Sequence, residues 1–241
     1  VSSLDFGLYA VPQSQFIGLI GRDWEIWERF QPDPNMLVRR WSEAVSPEPN
    51  ERTYLLTKLA AEKGGALPPG LYYLELTSPE TVALDYTANR NLLIVATANL
   101  TLKVSPDRAF VWVTDLECGE PVAGAAVTLY TEDGDVLLSA TTASDGVAEG
   151  AIPRQTDLYE PVYAVAEGEG VYGFSTNYWT NGIDPWSFDL SADYYPITET
   201  IYLYTDRAVY RPGQPVYFKG IVRDRDDVTY TVPRPTRRIP G

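Results

Sequence analysis

The side chains that could carry chemistry in this sequence are few in kind. The 241 residues include one cysteine and no histidine, which excludes Ser-His-Asp or Cys-His catalysis and histidine-bound zinc. The cysteine lies in Glu117-Cys118-Gly119-Glu120-Pro121, where a thioester would require a glutamine at the position that Pro121 occupies. A single cysteine also forms no internal disulfide. We therefore predict that Cys118 is a free thiol in a turn.

Two short clusters of aspartates could suggest a metal site. They are Asp133 with Asp135, and Asp224 with Asp226 and Asp227. Carboxylates suit Ca²⁺, but neither cluster matches a twelve-residue calcium loop that ends in glutamate. Aspartate is favoured in turns for its hydrogen bonds to the backbone, so we interpret both clusters as solvated turns. The 33 acidic residues supply many carboxylate pairs, and spacing alone leaves an acid-residue hydrolase open as an alternative. No metal or cofactor site is predicted.

Aromatic and amide side chains are concentrated between residues 177 and 196. They suit a surface that stacks against sugars, or a long loop packed on neighbouring domains with about 150–250 Å² buried per ring. We expect the packed loop, and the sugar-stacking surface stays as the alternative. The residues concerned are Asn177, Tyr178, Trp179, Asn181, Asp184, Trp186, Tyr194 and Tyr195.

Charge and hydropathy exclude further classes. The net charge of −14 repels phosphate backbones and anionic membranes, so nucleic-acid binding is excluded. No apolar run approaches the roughly 20 residues that a membrane helix needs. The first residues lack the basic and apolar regions of a signal peptide, so we expect any export signal to lie outside this sequence.

The composition predicts an all-β protein. Seventeen Tyr, six Trp, 19 Pro and 18 Gly are typical of short strands separated by turns. The clearest strand, 71–76, follows a Pro-Gly turn, and residues 52–59 are predicted as its hairpin partner. One short helix is predicted at 23–30 with Asp23 as its N-cap. Further strands are predicted at 4–11, 38–43, 92–96, 100–104 and 109–114.

The middle of the chain predicts a meander between residues 109 and 150. Its strands are 110–113, 125–130 and 136–138, and its turns include Asp133-Gly134 and Asp145-Gly146, which are strong hairpin signals. A hairpin is predicted next, with strands 163–166 and 171–174. Two more strands, 201–204 and 216–222, flank a Pro-Gly turn.

The pattern of strands and turns restarts after Asn99 and again after Ile197. It predicts one β-sandwich at 1–98, a second at 99–196, and the opening strands of a third at 197–241. No long protease-sensitive linker is expected between these domains. We expect proteolysis in residues 229–241, which are rich in Arg and Pro and lack partner strands.

Three segments resemble the bacterial α2-macroglobulin family. Residues 204–220 contain Asp206-Arg207, Tyr210-Arg211-Pro212-Gly213 and Val216, and they resemble the opening of a macroglobulin-like domain. We expect Arg207 and Arg211, on either side of Tyr210, to form ion pairs and to stack, not to bind an anion. Residues 111–130 with Asp145-Gly146 resemble the preceding domain, and residues 67–72 resemble the late hairpin of a first domain.

The resemblance implies tandem antiparallel macroglobulin-like sandwiches, related to immunoglobulin and fibronectin type III folds. It implies the non-catalytic N-terminal scaffold of a broad-spectrum protease trap, found outside the cell, on its surface or in the periplasm. The implied partners are target proteases, bound through regions outside this sequence, and neighbouring domains of the same chain. Asp206, Arg207, Tyr210, Arg211, Pro212 and Gly213 are implied to be structural. The alternative is a surface adhesin or carbohydrate-binding module.

Overall fold

A computed structural model describes residues 1–21, 24–48, 51–84, 88–179, 185–190, 194–195, 199–226 and 229–232. Val1–Ser191 forms one compact unit and Ala192–Gly241 a second. Antiparallel sheets dominate both, so the predicted all-β class is confirmed. Among the described residues, no helix is long and apolar enough to cross a membrane. The predicted helix cap Asp23 and the site candidates Asn181, Asp184 and Asp227 lie outside the described residues.

The first sheet has four antiparallel strands in the order β2-β1-β3-β4. Its strands are β1 (Ser3–Ala10), β2 (Leu37–Ala44), β3 (Gly70–Thr77) and β4 (Asn89–Val95), which confirms four of the five strands predicted in this part of the chain. Side chains alternate between the faces of a sheet. Phe6 and Leu8 are therefore buried on one face, and Tyr9 is buried on the other.

Three short helices accompany this sheet: α1 (Gln13–Ile20), α2 (Trp24–Arg29) and α3 (Pro79–Ala83). α2 confirms the helix predicted at 23–30, whereas α1 and α3 were not predicted. α1 begins after Pro12, which is the N-cap residue and provides no side-chain capping bond, and Phe16 and Ile17 on this helix are buried. Trp27 of α2 and Phe30, the residue after α2, pack against Tyr73 of β3, with ring centroids 6.1 and 5.0 Å from that of Tyr73.

The hairpin predicted between residues 52–59 and the strand at 71–76 is wrong. β3 pairs with β1 and with β4, and residues 51–60 have no helix or strand. The β-prone residues of this segment are instead exposed, including Tyr54 and Leu56. The segment contacts β2 near its end, where Trp41 Nε1 donates to Thr57 Oγ1 at 3.3 Å and Arg39 Nη1 donates to the Lys58 carbonyl at 3.3 Å.

The second domain is a sandwich of two antiparallel sheets with the orders β5-β6-β9 and β11-β10-β7-β8. Its core joins both sheets and includes Leu100, Val111, Val113, Val127 and Leu129. The strands are β5 (Ala98–Val104), β6 (Arg108–Asp115), β7 (Ala126–Tyr130), β8 (Val136–Thr141), β9 (Val147–Ala151), β10 (Tyr163–Gly168) and β11 (Val171–Thr176).

The predicted hairpin at 163–174 is confirmed, because β10 pairs with β11 around Glu167–Gly170. The predicted meander is wrong at its first step. β6 pairs with β5 and β9, whereas β7 pairs with β8 and β10 in the opposite sheet. The connection between β6 and β7 thus crosses the sandwich. It is fastened by a bridge between Thr114 and Pro121.

The second unit contains a sheet in the order β12-β13-β14, built from β12 (Glu199–Thr205), β13 (Phe218–Asp226) and β14 (Thr229–Thr231). The two strands predicted on either side of the Pro-Gly turn are confirmed by the pairing of β12 with β13. The expectation that residues 229–241 have no partner strand is wrong for β14, which pairs with β13.

Candidate functional site

The loop between β12 and β13 brings together the charged and aromatic residues of the sequence pattern at 204–220. The Asp206 carboxylate accepts a hydrogen bond from the Tyr210 hydroxyl and another from Arg207 Nε at 3.1 Å. The Arg207 guanidinium carbon lies 5.4 Å from the centre of the Tyr210 ring. The hydrogen bond from Tyr210 lowers the pKa of Asp206, and desolvation raises the pKa of Tyr210. This cluster stabilises the anionic form of Asp206.

The second half of the same loop is a turn closed through Gln214. Gln214 Oε1 accepts from the Arg211 backbone N–H at 2.9 Å, and the Gln214 N–H donates to the Arg211 carbonyl at 3.1 Å. Between them, Pro212 restricts φ, and Gly213 has a φ of +82°, which favours glycine. Asp206, Arg207 and Tyr210 thus form one cluster, and Arg211, Pro212 and Gly213 form the adjoining turn. The Asp206 N–H also donates to the Tyr217 carbonyl at 3.1 Å, which joins the two ends of the loop.

Cys118 lies in the turn that follows β6, and its thiol is free and exposed. Asp115 Oδ1 accepts hydrogen bonds from the backbone N–H groups of Glu117 and Cys118 at 2.8 and 2.9 Å, and from Cys118 Sγ at 3.3 Å. These donors lower the pKa of Asp115, the Cys118 N–H most strongly. Gly119 completes the turn with a φ of +76°. The arrangement is a capped turn.

The acidic cluster at Asp133 and Asp135 also lies in a turn. The Thr131 N–H donates to the Asp135 carbonyl at 2.9 Å, and the Asp135 N–H donates to Thr131 Oγ1 at 3.1 Å. Among the described residues, no three acidic or cysteine side chains are grouped so as to hold a metal ion. Asp224 is described on β13, whereas the side chain of Asp226 and all of Asp227 are outside the described part.

Asn177 and Trp179 begin the aromatic segment and contact the second domain. Asn177 Oδ1 accepts from the Val162 N–H at 2.8 Å, and Asn177 Nδ2 donates to the Glu160 carbonyl at 3.1 Å. The Trp179 ring packs on Phe174, with centroids 5.9 Å apart. Tyr178 and Tyr195 are exposed. For Asn177 and Trp179 the described contacts are those of a loop packed on its own domain.

The junction between the two domains is a feature that sequence reasoning missed. One buried cluster contains Tyr9 and Tyr73 of the first sheet, Phe16 of α1, and Tyr163 and Phe174 of the second domain. Phe16 and Phe174 meet edge to face with centroids 5.2 Å apart. The spacing of apolar residues at 16, 17, 19 and 20 after Pro12 is a helical pattern that could have revealed α1.

Thr97 adds a polar fastening to the junction, because it lies between β4 and β5. Its N–H donates to the Tyr172 carbonyl at 2.8 Å, and its hydroxyl accepts from the Tyr172 N–H at 2.8 Å. The hydroxyl also donates to the Gly170 carbonyl at 2.9 Å. The connection between the domains is thereby bonded to the β10–β11 hairpin. Shared apolar burial and these bonds make the two domains one body within residues 1–191.

A polar network crosses three strands of the first sheet. Arg40 Nη2 donates to the Tyr9 hydroxyl at 2.9 Å, and that hydroxyl donates to Glu75 Oε1 at 2.9 Å. Gly7 pairs with Arg40 on one side and with Glu75 on the other. A Cβ at Gly7 would lie 2.8 Å from Glu75 Oε1, so glycine leaves the space that the network needs. The network spans β2, β1 and β3.

Comparison with known proteins agrees with this architecture. Residues 96–194 match the family model described as the bacterial alpha-2-macroglobulin MG3 domain. The alpha-2-macroglobulin of Ralstonia nicotianae is 32% identical over 160 residues, 66% of this chain and 9% of that protein. The alpha-2-macroglobulin homolog of Yersinia pestis is 31% identical over 136 residues, 54% of this chain and 7% of that protein.

Solved structures show the same fold. A Salmonella alpha-2-macroglobulin variant superposes with a TM-score of 0.59 at 19% identity, covering 93% of this chain and 13% of that chain. An Escherichia coli alpha-2-macroglobulin fragment spanning domains MG0-NIE-MG1 gives a TM-score of 0.55 at 20% identity, covering 73% of this chain and 55% of that chain.

The fold defines a class, the multidomain antiparallel β-proteins with macroglobulin-like sandwiches. The domain match at 96–194, the relatives and the shared fold agree on the family within that class. The chain belongs to the bacterial α2-macroglobulin family. It spans about 9% of the length of the Ralstonia relative.

Proposed function

We propose that this chain is a non-catalytic N-terminal scaffold segment of a protease-trapping macroglobulin. The observation that carries the proposal is the shared core in which Phe16, Tyr73 and Phe174 join the domain that matches MG3 to the sheet before it. A trap changes shape when a protease cuts it, and such a change moves packed domains as rigid bodies. A pair of domains with one core is suited to that role.

The remaining details of the proposal follow from the family. The domains are 1–98, 99–196 and 197–241, the last being the opening strands of a further macroglobulin-like domain. The partners are target proteases and neighbouring domains, and the location is periplasmic, extracellular or on the cell surface. The loop with Asp206, Tyr210 and Arg211 has the structural role of fixing the β12–β13 hairpin.

The test compares the chain with a chimaera in which it replaces the matched segment of the Ralstonia relative. The isolated chain should leave trypsin free to digest a large protein substrate, even when the chain is in molar excess. The chimaera should protect that substrate while small peptides are still cleaved, as the unaltered Ralstonia protein should. Stoichiometric inhibition by the isolated chain would overturn the scaffold proposal. So would failure of a folded chimaera beside an active Ralstonia control.

A further inference from the structure

The segment from Arg52 to Leu56 exposes apolar side chains on irregular backbone. Tyr54 is 81% exposed and Leu56 is 98% exposed. Residues 51–69 contain no helix or strand, only a turn at 62–63 and bends at 64 and 69. Irregular connections longer than about 12–15 residues are uncommon in compact domains and are often functional. These exposed side chains belong to the unit Val1–Ser191. Many other large apolar residues of that unit are buried in its core.

The backbone of this segment is open to a partner. Among the described residues, the backbone N–H groups of residues 52–56 make no hydrogen bond to a neighbouring strand. Hydrogen bonds to β2 begin at Thr57, whose hydroxyl accepts from Trp41 Nε1, and continue at Lys58, whose carbonyl accepts from Arg39. A peptide-binding cleft uses main-chain hydrogen bonds for affinity and side-chain pockets for specificity. Residues 52–56 offer such a cleft unbonded backbone N–H groups and exposed apolar side chains.

Leu116, Leu203 and Phe218 are also exposed but lack this combination. Leu116 is exposed, but its N–H donates to the Thr97 carbonyl at 2.9 Å within a tightly bonded turn. Leu203 and Phe218 are exposed, but they lie in β12 and β13, whose backbones pair with each other. A protease would have to open a turn or separate two strands before it could bind these residues.

We propose that the peptide bonds after Tyr54, Leu55 and Leu56 are the first site at which an endopeptidase with an apolar specificity pocket cuts this chain. Hydrolysis adds one water across the bond and leaves a new carboxylate and a new amino group, so it needs no cofactor. The inference stands independently of the proposed trap function. It replaces the earlier expectation that cleavage falls in residues 229–241.

The cut should leave the first unit assembled. The N-terminal piece contributes β1 and β2, and β1 is hydrogen-bonded to β3 from Asp5 to Ala10. The same piece contributes α1, whose Phe16 is fully buried against residues of the second domain. Both attachments lie outside the cut segment. The product is therefore a nicked protein whose two pieces stay together without a covalent bond.

The experiment is limited digestion of the whole chain with chymotrypsin, whose specificity pocket is a hydrophobic slot, followed by intact-mass analysis. The first products should be complementary fragments that end and begin between residues 54 and 57. They should co-elute in size-exclusion chromatography under native conditions and separate in denaturant. A first cut elsewhere, in residues 185–195 or 229–241 for example, would overturn the site. Separation of the fragments under native conditions would overturn the nicked-protein inference.

A variant tests the side chains directly. Combining Tyr54→Asp, Leu55→Asp and Leu56→Asp removes the groups that fill an apolar pocket, and should slow the first cut at least about tenfold. The matched control is Leu116→Asp, which removes an exposed leucine from a bonded turn and should leave the rate unchanged. An unchanged first-cut rate at the same bonds in the triple variant would refute the proposal. The wild-type digest decides the position of the site whatever the stability of the variant.

Discussion

Replacing Phe16 by alanine should destabilise both domains of the first unit together. Phe16 is fully buried in the cluster that also contains Tyr9, Tyr73 and Phe174, and its ring lies 5.2 Å from that of Phe174. Phe→Ala changes in protein cores cost about 3–5 kcal/mol, because they lose apolar contact and leave a cavity. For a unit of this size that loss corresponds to a fall in Tm of about 6–20 °C.

The assay combines calorimetry with hydrogen exchange. Phe16→Ala should give a single thermal transition at the lower Tm, because the core that melts is common to both domains. Amide exchange should report the same fall in opening free energy for β3 in the first domain and for β10 in the second. Val82→Ala is the control, because Val82 is exposed on α3 and surface changes alter stability by less than about 0.5 kcal/mol.

Two outcomes would refute this reasoning. If exchange in β3 accelerated while exchange in β10 did not change, the junction would not couple the domains. If the total loss were below about 1 kcal/mol, Phe16 would not be a core residue of the kind that its burial indicates. Either outcome would also weaken the proposed scaffold function, which depends on the domains moving as one body.

Three further predictions concern single positions. Iodoacetamide should modify Cys118 once per folded chain because the thiol is exposed, and mass analysis after methylamine treatment should show no adduct; uptake of methylamine would contradict the free-thiol assignment. Gly146→Ala should lower stability by about 1–3 kcal/mol more than Gly170→Ala. Both residues have positive φ, but a Cβ at Gly146 would lie 2.5 Å from the Val113 carbonyl oxygen whereas one at Gly170 meets nothing within 4 Å; equal melting temperatures would count against this. Burial raises the pKa of Tyr73 from 10.0 to about 12, so the phenol ionises in the unfolded chain before it does so in the folded one. Stability should therefore fall between pH 10 and pH 12, and urea titrations should show a shallower fall for Tyr73→Phe.

Local signals explain the parts of the fold that the sequence predicts well. The β10–β11 hairpin closes around Glu167–Gly170, and Asp206 accepts its side-chain hydrogen bonds from Arg207 and Tyr210, within four residues in the chain. In both cases the residues that decide the conformation are neighbours in the chain, so their types and spacing contain the information. The same holds for the turn at Cys118, which Asp115 caps three residues earlier.

Partner choice between distant strands is not contained in such signals. Residues 52–59 have the composition of a strand and come shortly before β3 in the chain, yet β3 pairs with β1 and β4 instead. The pairing with β1 buries Leu8 and Tyr9, and an edge position for residues 52–59 would not bury comparable apolar area. The predicted pairing of β6 with β7 is wrong for the same reason, because a turn signal does not determine which sheet receives the next strand.

Side chains of β1 point alternately to the two faces of the first sheet, and these faces separate residues 54–57 from the buried cluster that contains Phe16. Tyr9 points to the face where α1 and the junction cluster lie. Phe6 points to the opposite face, where it stacks on Trp41 at 4.8 Å, and Trp41 is in turn held by Thr57. Residues 54–57 therefore border one face of the first sheet, and the buried cluster that contains Tyr9, Phe16 and Phe174 lies on the other. Because the two sets share no described contact, a nick at residues 54–57 and a change at Phe16 should have nearly additive effects on stability. After a cut there, the unit Val1–Ser191 should still move as one body.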